Sequence, residues 1–96
     1  MNAVEVAGLL KPFRAKLDAI GVERLLLVGS SNTGKAHANS DVDFVVEFAG
    51  KPTFLAFMEL QELLEETFKR PVDLTTKQAL RPEIAADVLA GARQVA

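Results

Sequence analysis

The stretch LLLVGSSNTGKAHANSDVDFVVEF, residues 25–48, decides how this chain is read. Arg24–Val28 is a short apolar run that stops at Gly29. A run without polar alternation predicts a strand buried on both faces, and so central in its sheet. Ser31–Asn39 is small and polar, the composition of a turn with room for a short helical segment. Asp41–Phe48 then alternates, with Val42, Phe44, Val46 and Phe48 on one side and Asp41, Asp43, Val45 and Glu47 on the other. That period of two predicts a second strand.

The carboxylates oppose the folding logic of these strands. Asp41 and Asp43 are two residues apart, so the pleat sets both on one face. Two like charges side by side each raise the cost of ionising the other, and a half-buried strand gains nothing from them. Asp73, between Val72 and Leu74, repeats the pattern further on. If the flanking apolar residues enter one core, all three carboxylates emerge together on the opposite side. Such a cluster is tolerable where a divalent cation neutralises it. Gly29-Ser30-Ser31 supplies the complement. Gly29 permits close approach of a phosphate to the backbone, Ser30 offers a hydroxyl, and the N–H groups that follow form an anion-binding terminus. An anion site facing a metal site describes a place for a nucleoside triphosphate with magnesium. Each piece has an ordinary reading too: Gly-Ser as a plain turn, the Asp pair as solvated turn residues, Asp73 on a solvent-facing edge. Only their conjunction points to chemistry.

Outward from this stretch, Val6, Leu9, Leu10, Phe13, Leu17 and Ile20 recur at helical spacing. They predict an amphipathic helix over Val4–Ile20, stopped by Gly21 and kinked at Pro12, or beginning only near Lys11. After the turn Gly50-Lys51-Pro52, Thr53 caps a helix running to about Phe68. Its predicted buried side is Phe54, Phe57, Met58, Leu60, Leu64 and Phe68; Glu59, Glu62, Glu65 and Glu66 face solvent. Arg70–Thr75 is a third strand, Lys77–Leu80 a helical turn, and Pro82 introduces a last helix, Glu83 to about Ala90, ended by Gly91. The predicted order is helix, strand, turn, strand, helix, strand, helix in one domain, 1–96.

Composition narrows the chemistry. Cysteine is absent and His37 is the single histidine, which excludes disulfides, thiolate nucleophiles and Cys- or His-rich zinc sites. A metal here would sit on oxygen ligands, favouring magnesium or manganese. A net charge of −2, with Lys and Arg scattered, argues against direct nucleic-acid binding. The longest apolar stretch, Leu25–Val28, falls far short of the roughly 20 residues that span a bilayer. Glu5 near the start, with no basic flank, does not read as a signal peptide.

Gly29-Ser30 followed by Asp41-x-Asp43 resembles the signature of the DNA polymerase β-like nucleotidyltransferase superfamily. The longer string, with Gly34, Ala36 and Ser40–Val46, is similar to its minimal nucleotidyltransferase branch, as are Arg70-Pro71-Val72-Asp73-Leu74 and Leu80-Arg81-Pro82. The resemblance implies an α/β (α+β) fold, a small mixed sheet with helices on one face and the nucleotide cleft on the other. It implies that Asp41, Asp43 and Asp73 hold metal, two Mg2+ ions with Mn2+ as the alternative, and that Asp73 also helps deprotonate the acceptor. Gly29, Ser30 and Ser31 would bind the nucleotide, with ATP as substrate. Family members often carry an arginine after Gly-Ser; Ser31-Asn32-Thr33 stands there instead, and Lys35 is the cation left to reach the phosphates. Minimal members are often cytoplasmic antitoxins that add AMP to a tyrosine of a HEPN-type partner. The runner-up is a binding module of the same fold that neutralises its partner by contact alone.

Overall fold

The computed structural model describes residues 2–28, 42–51 and 53–96. Two short helices begin the chain, α1 (Ala3–Leu10) and α2 (Arg14–Ile20), joined by a 3-10 turn, Lys11–Phe13. Asn2 caps α1 by accepting from the Glu5 N–H at 3.0 Å. The single predicted helix is thus split at Pro12, whose ring cannot continue α-helical bonding. Gly21 ends α2 at φ 97°, the left-handed conformation that favours glycine.

Strand β1 (Val22–Val28) follows directly and pairs antiparallel with β2 (Val42–Phe48). The ladder runs from Arg24 opposite Glu47 to Val28 opposite Asp43, with an irregularity between Val22 and Arg24. Helix α3 (Phe54–Phe68) starts at Thr53, whose hydroxyl accepts from the Ala56 N–H at 3.0 Å. β3 (Val72–Thr76) lies parallel to β2. A 3-10 turn, Lys77–Ala79, and α4 (Pro82–Ala90) precede β4 (Arg93–Gln94), which pairs antiparallel with β1. Among the described residues the sheet has four strands in the order β3-β2-β1-β4, a mixed arrangement in an α+β fold. β1 is internal, as its apolar run predicts.

The core lies between one sheet face and the helices α1, α2 and α3. Leu25 and Leu27 from β1, Val42, Phe44 and Val46 from β2, and Val72 and Leu74 from β3 meet Val6, Leu10, Leu17, Leu60, Leu64 and Phe68. Phe44 and Phe68 pack ring to ring with centroids 5.8 Å apart. Two expectations for α3 are corrected. Phe54 is 81 % exposed and Met58 is exposed as well, whereas Leu63 is buried. Ala56 and Phe57 pack against the core together with Leu60, Leu63, Leu64 and Phe68, whereas Phe54 and Met58 fall on the same side of the helix as exposed Glu62. β4 is a further difference: two polar residues carry no alternation, and Val95 beyond them is buried in the core. Gly29, Ser30, Ser31, Lys35, His37 and Asp41, with the predicted turn containing them, lie outside the described residues.

Candidate active site

The sheet face opposite α1, α2 and α3 is built by strand parity. Because β2 and β3 are parallel, each residue of β3 stands beside its β2 partner on the same face: Val42 beside Val72, Asp43 beside Asp73, Phe44 beside Leu74. With Val42, Phe44, Val72 and Leu74 in the core, Asp43 and Asp73 fall on the other side as direct neighbours. Adjacent strands lie about 4.8 Å apart, so two like charges are set side by side. Asp43 is half-buried and Asp73 is exposed. Opposite Asp43 on its other flank stands Val28, the last residue of β1 and the one preceding Gly29-Ser30. Two of the three predicted carboxylates are therefore brought together beside the end of β1. Asp41, two residues before Asp43, belongs to the undescribed stretch. Among the described residues no group of three or more acidic, His or Cys side chains gathers as a metal site.

The same face carries a second charged group that the motif did not single out. Glu47, four residues beyond Asp43, makes ion pairs with Arg24 across the β1–β2 ladder and with Lys77 at 3.1 Å. Contact with Arg24, and then with Lys77, holds the Glu47 carboxyl below its ordinary range against the opposing effect of burial. The Arg24 guanidinium is correspondingly pushed upward by Glu47. Between Asp43 and Glu47, Val45 is only 2 % exposed although it is not part of the core under the helices. This face is thus partly covered, and the 3-10 turn Lys77–Ala79 packs against β2. The parity of Glu47 with Asp43 was the available sequence signal for its place on this face.

Paired carboxylates, in a chain without cysteine, form a hard oxygen donor set that fits Mg2+ or Mn2+ and not a thiophilic metal.

The nucleotidyltransferase domain family matches residues 8–94. The chain belongs to that family. A relative, the protein adenylyltransferase MntA of Thermococcus cleftensis, is 37 % identical over 86 residues, covering 88 % of this chain and 87 % of the relative. A solved structure assigned as a minimal nucleotidyltransferase superposes with a TM-score of 0.82 at 26 % identity, over 97 % of this chain and 95 % of that one. A complex of tri-AMPylated HEPN toxin with MNT antitoxin from Shewanella oneidensis shares the fold, with a TM-score of 0.61 at 20 % identity over 99 % of this chain and 69 % of its match. The expected family and mixed α+β fold are both found, and this member of the nucleotidyltransferase family carries its two described strand carboxylates in register.

Proposed function

We propose that this nucleotidyltransferase transfers AMP from a metal–ATP complex to a hydroxyl on a partner protein, as the antitoxin of a HEPN/MNT pair. The structural observation that carries the reading is the register pairing of Asp43 with Asp73 on the face away from α1, α2 and α3. The identity to the MntA adenylyltransferase, spread over most of both chains, supports AMP as the group transferred. In the reaction, the acceptor oxygen forms a bond to the α-phosphorus as the bond from that phosphorus to the α–β bridging oxygen breaks. Pyrophosphate leaves, and the acceptor proton passes to a carboxylate.

Asp73, exposed at the edge strand, is the carboxylate within reach of an incoming acceptor and takes that proton. Asp43, half-buried beside it, is the fixed ligand with Asp41. Two divalent ions held by these carboxylates would supply charge neutralisation at the attacking and leaving oxygens. Gly29, Ser30 and Ser31 receive the phosphates, and Lys35 provides a cation in place of the family's arginine. Transfer of this kind depends on positioning and electrostatics more than on covalent help from the protein, which suits so small a site.

Cellular ATP and a toxin partner make the cytoplasm the place of action. Among the described residues no helix is long and apolar enough to cross a membrane. Ser31-Asn32-Thr33 favours the second reading, neutralisation by contact alone. Incubation with labelled ATP, Mg2+ and the product of the neighbouring gene separates the two. Transfer of label to the neighbour supports the enzyme; neutralisation without label supports the binding module.

A further inference from the structure

Among the described residues Asp73 sits on an edge strand, and β3, five residues long, has one neighbouring strand, β2. Its register therefore rests on a single ladder. A slip of one residue would turn Asp73 into the core, and a slip of two would carry it about 7 Å along β2 while keeping its face. Burial of Val72 and Leu74 resists the first error but discriminates weakly against the second.

The ladder itself fixes where the polar groups of β3 point. The Val42 N–H donates to the Pro71 carbonyl at 3.0 Å, so the peptide joining Pro71 to Val72 turns its carbonyl toward β2 and its N–H outward. That outward N–H, on the residue before Asp73, donates to Glu65 Oε2 at 3.2 Å. The Val72 carbonyl accepts a longer, weaker bond from Gln61 Nε2 at 3.4 Å. Gln61 and Glu65 are one helical turn apart on α3, so together they grip both backbone groups of Val72 on the open edge. A side chain on a core helix thus covers an edge that would otherwise be unpaired. Glu65 is partly buried, while its acidic neighbours Glu62 and Glu66 are exposed.

We infer that Glu65, assisted by Gln61, is the positioning residue that sets Asp73 opposite Asp43. The inference rests on the proposed metal-binding role of those two carboxylates. Glu65 touches no reacting group; it acts through the backbone of Val72. Loss of the grip loosens β3 at its N-terminal end, and the two carboxylates no longer present a fixed pair.

The test is Mn2+ affinity, read by electron paramagnetic resonance of the free ion, together with hydrogen exchange at the Val72 amide. Glu65→Ala is expected to weaken Mn2+ binding about tenfold or more, the usual effect of removing a residue that orients a ligand, and to speed exchange at Val72. Glu65→Gln keeps an acceptor oxygen and recovers most of both. Glu62→Ala and Glu66→Ala change neither. Gln61→Ala, the second variant should Glu65→Ala not fold, produces a smaller loss of affinity. Unchanged Mn2+ affinity in Glu65→Ala, or in Gln61→Ala if that is the variant available, would overturn the positioning role even if Val72 exchanged faster. So would a Glu65→Gln variant as impaired as Glu65→Ala. Failure of the wild type to bind Mn2+ at all would instead overturn the proposed site, and the inference with it.

Discussion

Replacing Asp43 by Asn keeps the side chain's size and removes its charge, so it separates folding from chemistry at one atom group. In the metal-free protein Asp43 faces Asp73 across the β2–β3 ladder; Asn relieves that like-charge contact and keeps a side-chain oxygen that can accept hydrogen bonds, so thermal stability should change little. AMP transfer, by contrast, should fall about a thousand-fold, corresponding to about 4 kcal/mol of lost transition-state stabilisation. Calorimetric melting and single-turnover rates on the same preparation check both halves. A variant that melts markedly lower would make Asp43 a structural residue. Glu47 gives the opposite profile. Its carboxyl is held low by Arg24 and Lys77, so the stability it contributes is present above the unfolded carboxylate pKa, about 4.3, and is lost as pH falls through the lower folded value. The Tm difference between wild type and Glu47→Gln should therefore be constant from pH 7 to about 5 and shrink in stronger acid. A difference that widens in acid would contradict the pairing.

At the scale of the element, the signals that proved legible are those with a local physical cause. Thr53 caps α3 because its hydroxyl answers an unpaired N–H, Pro82 opens α4 because its missing donor is not needed there, and Gly21 ends α2 because the chain turns left-handed. The alternation of β2 was legible for the same reason, and it carried the placement of Asp43. What escaped depends on contacts remote in sequence. The two residues of β4 become a strand only because β1 offers an edge. Phe54 and Met58 recur at helical spacing but share the solvent side of α3 with Glu62, while Phe57 and Leu60 take the inward side. The hold of Glu65 on Val72 joins residues that no local pattern links. Gly21→Ala tests the turn between α2 and β1. Among the described residues beyond its chain neighbours no atom stands within 4 Å of an added Cβ, so the cost comes from the positive φ. It should be about 1–2 kcal/mol, a fall of several degrees in Tm for a domain of this size. An unchanged Tm would mean the turn accepts another conformation.

For the whole molecule, binding and catalysis are separable. Mg2+ with ATP should raise the Tm of the wild type, by about 2.7 kcal/mol of stabilisation at a hundred times Kd, and should raise that of Asp43→Asn less. Equal shifts in the two proteins would place the nucleotide away from Asp43. The acidic balance of the chain, −2 overall, is consistent with a protein acceptor and not a nucleic acid gripped by charge. The chain has no tyrosine, so a tyrosine adduct formed by it must lie on another molecule. The most direct measurement is intact and peptide mass spectrometry of the co-expressed partner, with wild type and with Asp43→Asn. Wild type should give a mass gain of whole AMP units on a hydroxyl of the partner and the variant none; a partner neutralised equally by both proteins, carrying no adduct, would contradict AMP transfer.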